Sequence, residues 1–286
     1  MSEYRRMPDK PHAIKGRMPL LIGLLTVVLA MMWALGQCSH RRDAVFAQAD
    51  KKADGDTMTV AIEMSPLLYQ RKGDSISGLD YEIVRMLSEM HGKPVKFRPF
   101  VPLHFALDGL SSGKFDVVIA ALPATERTRR EYNMTDAVYT GRQALVQLRD
   151  SSGRVHITSQ EQLAGHHVWI VEKSPYADRL KNLGAELGDT IYVHSLPEYS
   201  AEHLCLLTAS GEIERAVVDE KTARRLAADY PTLDVSVPVS FNQFQSWAVG
   251  GPALRDSLNV WLDEFRHTSA YDSLLVRYGP GLAHEI

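Results

Sequence analysis

Apolar positions between residues 57 and 280 fall into short solid runs separated by segments of helical period, and the order of these segments repeats. The first round reads "MTVAIEMSP", then "LDYEIVRMLSEMHGKPVKFRPF", then "FALDGLSSGKFDVVIAA". The second reads "HVWIVEKSP", then "YADRLKNLGAELGDTIYVHSL", then "EHLCLLTASGEIERAVVDE". Short β-branched runs such as "TVAI" predict strands. The i, i+3, i+4, i+7 spacing of Ile83, Met86, Leu87 and Met90 predicts a helix with one buried stripe. Each round is therefore strand, Ser-Pro turn, helix, strand, helix, Ser-Gly turn, strand. Ser112-Gly113 and Ser210-Gly211 stand 98 residues apart. A period that long marks a duplicated α/β plan, not a solenoid of short repeats.

Strands alternating with helices imply parallel sheets joined by right-handed crossovers, so two rounds predict two α/β lobes. After the second round, "VSVPVSFNQFQSWAVGG" offers further strand, which Pro238 restricts to an edge or a strand start. A helix follows with Leu254, Leu258, Trp261, Leu262 and Phe265 on one face. This tail matches neither round. It is expected to cross back and complete the first lobe, giving lobe 1 as 57–146 plus 240–280 and lobe 2 as 147–239, with two hinge crossings. Ligands of open α/β sheets bind beyond the strand carboxyl ends, and here both lobes would present those ends to one cleft.

The front of the chain follows a different pattern. Met18 to Gly36, "MPLLIGLLTVVLAMMWALG", carries no charge over 19 residues. As a helix it would be roughly 28 Å long, close to the thickness of a bilayer core. Arg5, Arg6, Lys10, Lys15 and Arg17 precede it, so residues 1–17 are expected to stay cytoplasmic and the body to lie in the periplasm. The run is longer than a usual signal-peptide core, which favours a single-pass inner-membrane anchor at 18–36. Two other fates stay open: lipoprotein processing at Cys38 in "LGQC", and cleavage after "AQA" at Ala47–Ala49. Residues 37–56, polar and without apolar period, read as a linker.

Charge sharpens this division. The formal charge of −3 combines a basic front with an acidic body. Residues 1–49 hold seven Lys/Arg against three Asp/Glu, which leaves the rest at −7. A polyanion binder needs a basic face of its own, so nucleic acid is not an expected partner. Two cysteines, Cys38 and Cys205, build no disulfide framework, and Cys205 in "EHLCLL" reads as a buried, inert thiol. His166 and His167 are adjacent, so on a strand their rings point to opposite faces. No HExxH, Cys pair, Walker loop, GxGxxG or GxSxG occurs, and no metal, cofactor or catalytic triad is expected.

Taken in order, "TVAIEMSPLLYQ", "ISGLDYEIVRMLSEMHGKPVKF", "LDGLSSGKFDVVIAALPATER" and "TDAVYTG" resemble the family 3 extracytoplasmic solute-binding proteins over about residues 57–280. "DRLKNLGAELGDTI" and "SFNQFQSWAV" further resemble the receptor-like module of the membrane-bound lytic transglycosylases F. The resemblance implies a two-lobed periplasmic-binding-protein-like fold of type II that closes by hinge motion on an amino acid, small peptide or cell-wall fragment. The chain runs only a few residues past its last helix pattern, so the transglycosylase chemistry is not expected of it. A membrane transporter or a cell-wall enzyme is the partner implied.

The resemblance also assigns candidate ligand-binding residues. Receptors of this family hold a ligand carboxylate with an arginine in a Thr-x-Glu-Arg motif, because a guanidinium fork matches a carboxylate bidentately. Here the motif is shortened to Thr125-Glu126-Arg127, and counting back from "TDAVY" places Thr128 at the clamp instead. Asp219, after the last strand of the second round, would take the ammonium; as a helix N-cap it would have a structural role as well. Ser174 would be a second-lobe anion contact or the cap of the next helix, with Pro175 first in that helix. Tyr69 would stack over the ligand, or lie on the surface. Asp80 recurs in the family and is otherwise a helix N-cap.

Overall fold

A computed structural model describes residues 56–278; the anchor expected at 18–36 and the linker up to Gly55 lie outside them. No helix among the described residues is long and apolar enough to cross a membrane.

The first round folds as β1 (Met58–Glu63), a hairpin of β2 (Gln70–Lys72) and β3 (Ser75–Ser77), α1 (Leu79–His91), β4 (Val95–Phe100), α2 (Leu103–Ser111) and β5 (Val117–Ile119). A short α3 (Glu126–Glu131) and β6 (Asn133–Met134) follow, then β7 (Tyr139–Gly141) and β8 (Gln143–Leu148). The second round is β9 (His167–Val171), α4 (Tyr176–Leu187), β10 (Tyr192–Leu196), α5 (Ala201–Ser210), β11 (Arg215–Asp219) and α6 (Glu220–Asp229). The tail adds β12 (Leu233–Asp234), β13 (Gln243–Gln245), β14 (Ala248–Val249), α7 (Pro252–Arg266) and α8 (Ser269–Tyr278).

The duplication is visible in the sheets. The first runs β4-β1-β5-β14-β6 and the second β10-β9-β11-β8-β12. In each, the three strands of a round are parallel, and a strand from outside the round, β14 or β8, pairs antiparallel with the last of them. Strand alternation sorts the side chains. Val60 and Ile62 of β1 face Leu79, Ile83 and Leu87 of α1 and Leu258, Leu262 and Phe265 of α7. Ala61 turns to the opposite face, where it joins Leu103, Ala106 and Leu107 of α2. In the second lobe Leu145, Val168, Ile170 and Val217 pack on Leu180 and Leu183 of α4, and Leu204 and Cys205 of α5 cover the other face with Ala216 and Val218. Burial pushes the Cys205 thiol up to about 12.

Two expectations need adjustment. The stripe of α1 does not reach Met90, which is exposed. His91, stacked on Trp261 at 4.5 Å between ring centroids, makes the contact with α7 instead. The first crossing between lobes falls at Tyr139–Gly141, earlier than the boundary expected at 146, because β8 already belongs to the second sheet. The return crossing is β13. The two crossing strands pair antiparallel, with Tyr139 opposite Gln245 and Gly141 opposite Gln243, so the hinge is a two-stranded ribbon.

Candidate functional site

The parallel strands of both lobes end at one seam. From the first lobe, β1 ends on Glu63 and the segment after β5 carries Ala121; from the second, β9 leads to Tyr176 and β11 ends on Asp219. Tyr176 Oη donates across the seam to the Ala121 carbonyl at 3.2 Å. Three carboxylates, Glu63, Asp80 and Asp219, are buried here.

Each acid has a local reason for its position. Gly78 precedes α1 with φ 144°, and a Cβ there would lie 2.2 Å from the Leu68 carbonyl oxygen. Only glycine passes through this conformation against that backbone, and it sets Asp80 in the first turn of α1. Asp80 Oδ1 accepts from Trp247 Nε1 at 2.5 Å, while Oδ2 has no partner. Glu63 Oε2 accepts from the Ala121 amide at 3.3 Å. Asp219 caps α6, its Oδ1 accepting from the Thr222 amide at 3.0 Å. The other oxygen lies against the hinge: a Cβ on Gly141 would be 3.2 Å from Asp219 Oδ2 and 3.3 Å from Gln245 Cγ.

Burial of like charges shifts all three. Desolvation raises Glu63 to about 7 against the pull of the Ala121 amide, and Asp219 adds to the rise. Asp80 also rises to about 7, again mainly from burial and despite the indole N–H of Trp247 and the charge of Lys221. Asp219 is raised by burial, with the Thr222 amide and Lys221 opposing. Lys221 is half of this balance: burial lowers its ammonium pKa while Asp219 and Asp80 raise it. Its Nζ sits 4.7 Å from the ring centre of Tyr139. The Tyr139 hydroxyl, buried among Asp80, Asp219, Tyr176 and Glu63, has no hydrogen-bond partner, nor do Gln245 Oε1 and Ser246 Oγ.

The rim of the seam carries opposite charges in pairs. Arg127 on α3 reaches Asp178 on α4 at 2.8 Å, and Lys173 reaches Asp108 on α2 at 2.7 Å. Lys173 holds φ 60°, a left-handed conformation uncommon for a residue with a side chain. On one flank the seam opens into a cavity of about 360 Å³ lined by Thr125, Arg127, Gln143, Asp178 and Gln243. On the other, a cavity of about 540 Å³ is lined by Leu67, Gln70, Lys221, Arg225 and Tyr278.

The expected residues divide accordingly. Asp80 and Asp219 come together at the seam, and Asp219 is also the N-cap of its helix. Asp80 is not a cap, since it lies inside the first turn of α1. Arg127 does not present a free fork: Nε donates to Glu131 at 2.9 Å and Nη1 to Asp178, so a helix-face pair and a contact between lobes occupy it together. Thr125 is the N-cap of α3, accepting from the Thr128 amide at 3.2 Å, and Thr128 is the buried member of that helix. Ser174 does not cap α4. Pro175 stands at the cap position without a side-chain bond, and Ser174 Oγ is buried and unpartnered. Tyr69 is not on the surface: it is buried, and its ring packs against Tyr81 at 5.5 Å and Phe97 at 6.5 Å within the first lobe. Sequence reasoning passed over Glu63, Tyr139, Tyr176, Lys221 and Trp247. The usable signal was position: Glu63 is the charged residue that closes an otherwise apolar strand.

A two-lobed α/β body with paired sheets, a ribbon hinge and a polar seam at the strand carboxyl ends defines the class of hinged solute-binding proteins. The profile of bacterial extracellular solute-binding proteins, family 3, matches residues 57–281, and the chain belongs to that family. Membrane-bound lytic murein transglycosylase F from Cronobacter sakazakii is 26% identical over 263 residues, which are 90% of this chain and 49% of the relative. The enzyme of the same name from Pseudomonas fluorescens is 22% identical over 255 residues, 88% of this chain and 51% of the relative. The chain thus spans about half the length of these curated relatives. Among solved structures, an ancestral arginine-binding protein bound to glutamine superposes with a TM-score of 0.68 at 23% identity, covering 79% of this chain and 98% of that one. A putative L-cystine ABC transporter from Listeria monocytogenes gives 0.67 at 19% identity, covering 78% and 95%. At these identities the structural likeness establishes the fold.

Proposed function

We propose that this chain is a non-catalytic solute receptor whose two lobes close on a small solute: an amino acid, a small peptide or a cell-wall fragment. The observation that carries this reading is the seam, where buried, partly unpartnered polar groups from both lobes converge beside a two-stranded hinge. A seam that served only to join two lobes would be filled with apolar side chains, because unpartnered buried polar groups destabilise it. The uncharged run at 18–36, with basic residues before it, supports a single-pass anchor that keeps the receptor at the periplasmic face of the inner membrane. Such a tethered receptor hands its solute to a membrane transporter or reports on it to a neighbour.

The test is ligand-induced stabilisation of the full-length chain in a mild detergent against a panel of amino acids, amines, short peptides and muropeptides. A ligand that binds only the folded state raises the melting temperature, by an amount that grows with concentration. If no member of the panel shifts it, the receptor reading fails.

The curated relatives favour one further reading, that the chain is a regulatory module in cell-wall turnover. It is tested by adding the chain to a lytic transglycosylase acting on purified peptidoglycan; an unchanged rate removes it.

A further inference from the structure

The seam has a composition that narrows the solute. Three carboxylates come together from three different elements: the end of β1, the start of α1 and the end of β11. Lys221 is the cation that shares the surroundings of Asp80 and Asp219. Of the nearby arginines, three are engaged elsewhere: Arg127 with Glu131 and Asp178, Arg142 with Glu220, and Arg179 with Glu186 and the Val239 carbonyl; Arg225 is exposed on the wall of the larger flank cavity. Beyond the charges, Asp80 Oδ2 and Gln245 Oε1 are buried acceptors without partners, and the Tyr139 hydroxyl, able to donate or accept, is buried without one as well; each belongs to a residue less than a tenth exposed. Tyr139 lies within the field of all three acids, and Gln245 shares the Gly141 backbone contact with Asp219. The surplus here is of negative charge and of acceptors, so the complementary group is a donor-rich cation.

We propose that this enclosure takes the positive end of an organic amine, amidine or guanidine that carries no carboxylate beside that charge. The assignment rests on the receptor reading above and narrows its ligand class. A carboxylate attached next to the ammonium would be brought up to Glu63, Asp80 and Asp219, while Arg225 is exposed on the cavity wall, and like charges so placed repel. A bare metal ion fits less well, since among the described residues no three His, Cys, Asp or Glu side chains are grouped closely enough to ligate one. An organic cation spans the wider spacing with several N–H donors. The approach is defined as well. Lys221 lines the larger flank cavity and also faces Asp80 and Asp219, so a ligand entering there takes over contacts that Lys221 makes. The raised pKa values of Glu63 and Asp80 agree with this, for a bound cation would hold both acids ionised and release protons to solvent.

Two matched pairs test it: agmatine against arginine, and putrescine against ornithine, each pair differing by the α-carboxylate. Binding is measured by calorimetry on the full-length chain in detergent at pH 7. The expected result is that at least one decarboxylated member binds roughly tenfold or more tightly than its carboxylated counterpart. Glu63→Gln is expected to weaken that binding by a similar factor, with Asp80→Asn as the second variant if the first does not fold. Arginine or ornithine binding as tightly as its partner overturns the ligand class and leaves the receptor reading intact, as does a panel in which only zwitterions bind. If none of the four binds, the ligand class is overturned, and the receptor reading falls with it only if the broader panel of peptides and muropeptides also causes no shift.

Discussion

The rim and the interior of the seam bring the two lobes together by opposite means. At the rim, Arg127 meets Asp178 and Lys173 meets Asp108, charge against countercharge, with side chains about half exposed. In the interior, Glu63 and Asp80 are both buried within the field of Asp219, and Lys221 shares the surroundings of Asp80 and Asp219. Exposed pairs contribute little to stability because water and salt screen them. Buried like charges oppose closure unless a proton or a cation offsets them. The comparison shows that the rim sets how the lobes register on each other, whereas the interior decides whether they stay together.

Changing the charge of the interior is the strongest way to break this comparison. Glu63 and Asp80 have ordinary values of 4.5 and 3.8, and both stand near 7 in the folded protein. Raised acids hold protons in the folded state that the unfolded chain has already released. Stability is therefore greatest below about pH 4 with respect to these two groups and falls as pH rises through about 7. Fully developed, the loss is on the order of 3 kcal/mol per group. Asp219, Lys221, Tyr139 and Tyr176 face the same pair and set the width of the transition. Unliganded protein should melt at a lower temperature at pH 8 than at pH 5.5, and Glu63→Gln should flatten the difference. A variant with an unchanged pH slope would show that Glu63 ionises freely and that the interior imposes no such penalty.

A smaller effect is expected where the interior is already satisfied. Trp247→Phe keeps most of the buried ring but removes the donor to Asp80 Oδ1, leaving both carboxylate oxygens without a partner. The expected cost is about 2 kcal/mol in urea unfolding at pH 8, shrinking at pH 5.5 where Asp80 is protonated. Equal losses at the two pH values would assign the effect to packing alone.

The rim should respond least. Asp178→Asn removes the charge that reaches Arg127 across the seam, and the expected loss is about 0.5 kcal/mol in low salt, vanishing near about 1 M salt. A loss several times larger that survived high salt would mean that the rim, and not the interior, holds the lobes closed.

Much of the fold was legible because duplication doubles the signal. Weak strand runs such as "TVAI" and "VWIV" gained meaning from recurring in the same order, and the Ser-Gly turns at 112–113 and 210–211 fixed the phase between rounds. The site was less legible, for a physical reason. Asp80 and Asp219 lie at positions where a helix cap and a ligand contact look alike from sequence, and the structure gives Asp219 the cap and the seam together. Arg127 carries the right chemistry, yet Asp178, 51 residues away in sequence, claims its fork. Glu63, Tyr139 and Lys221 became site residues only through their distance from one another in space, which no local pattern records. For Tyr69 and Ser174 one alternative of each pair falls away: an aromatic cluster with Tyr81 and Phe97 takes Tyr69 off the surface, and Pro175 holds the cap position expected of Ser174.

The contact between Asp219 and Gly141 has a mechanical consequence. Gly141 belongs to the paired ribbon that joins the lobes, so Asp219 stands beside the fulcrum of any swing between them. A lever magnifies at its tips whatever happens at its pivot. A group that pushes or draws Asp219 by a fraction of an ångström therefore need not be large to part or join the outer surfaces of the lobes, and those surfaces are what a neighbouring protein would read.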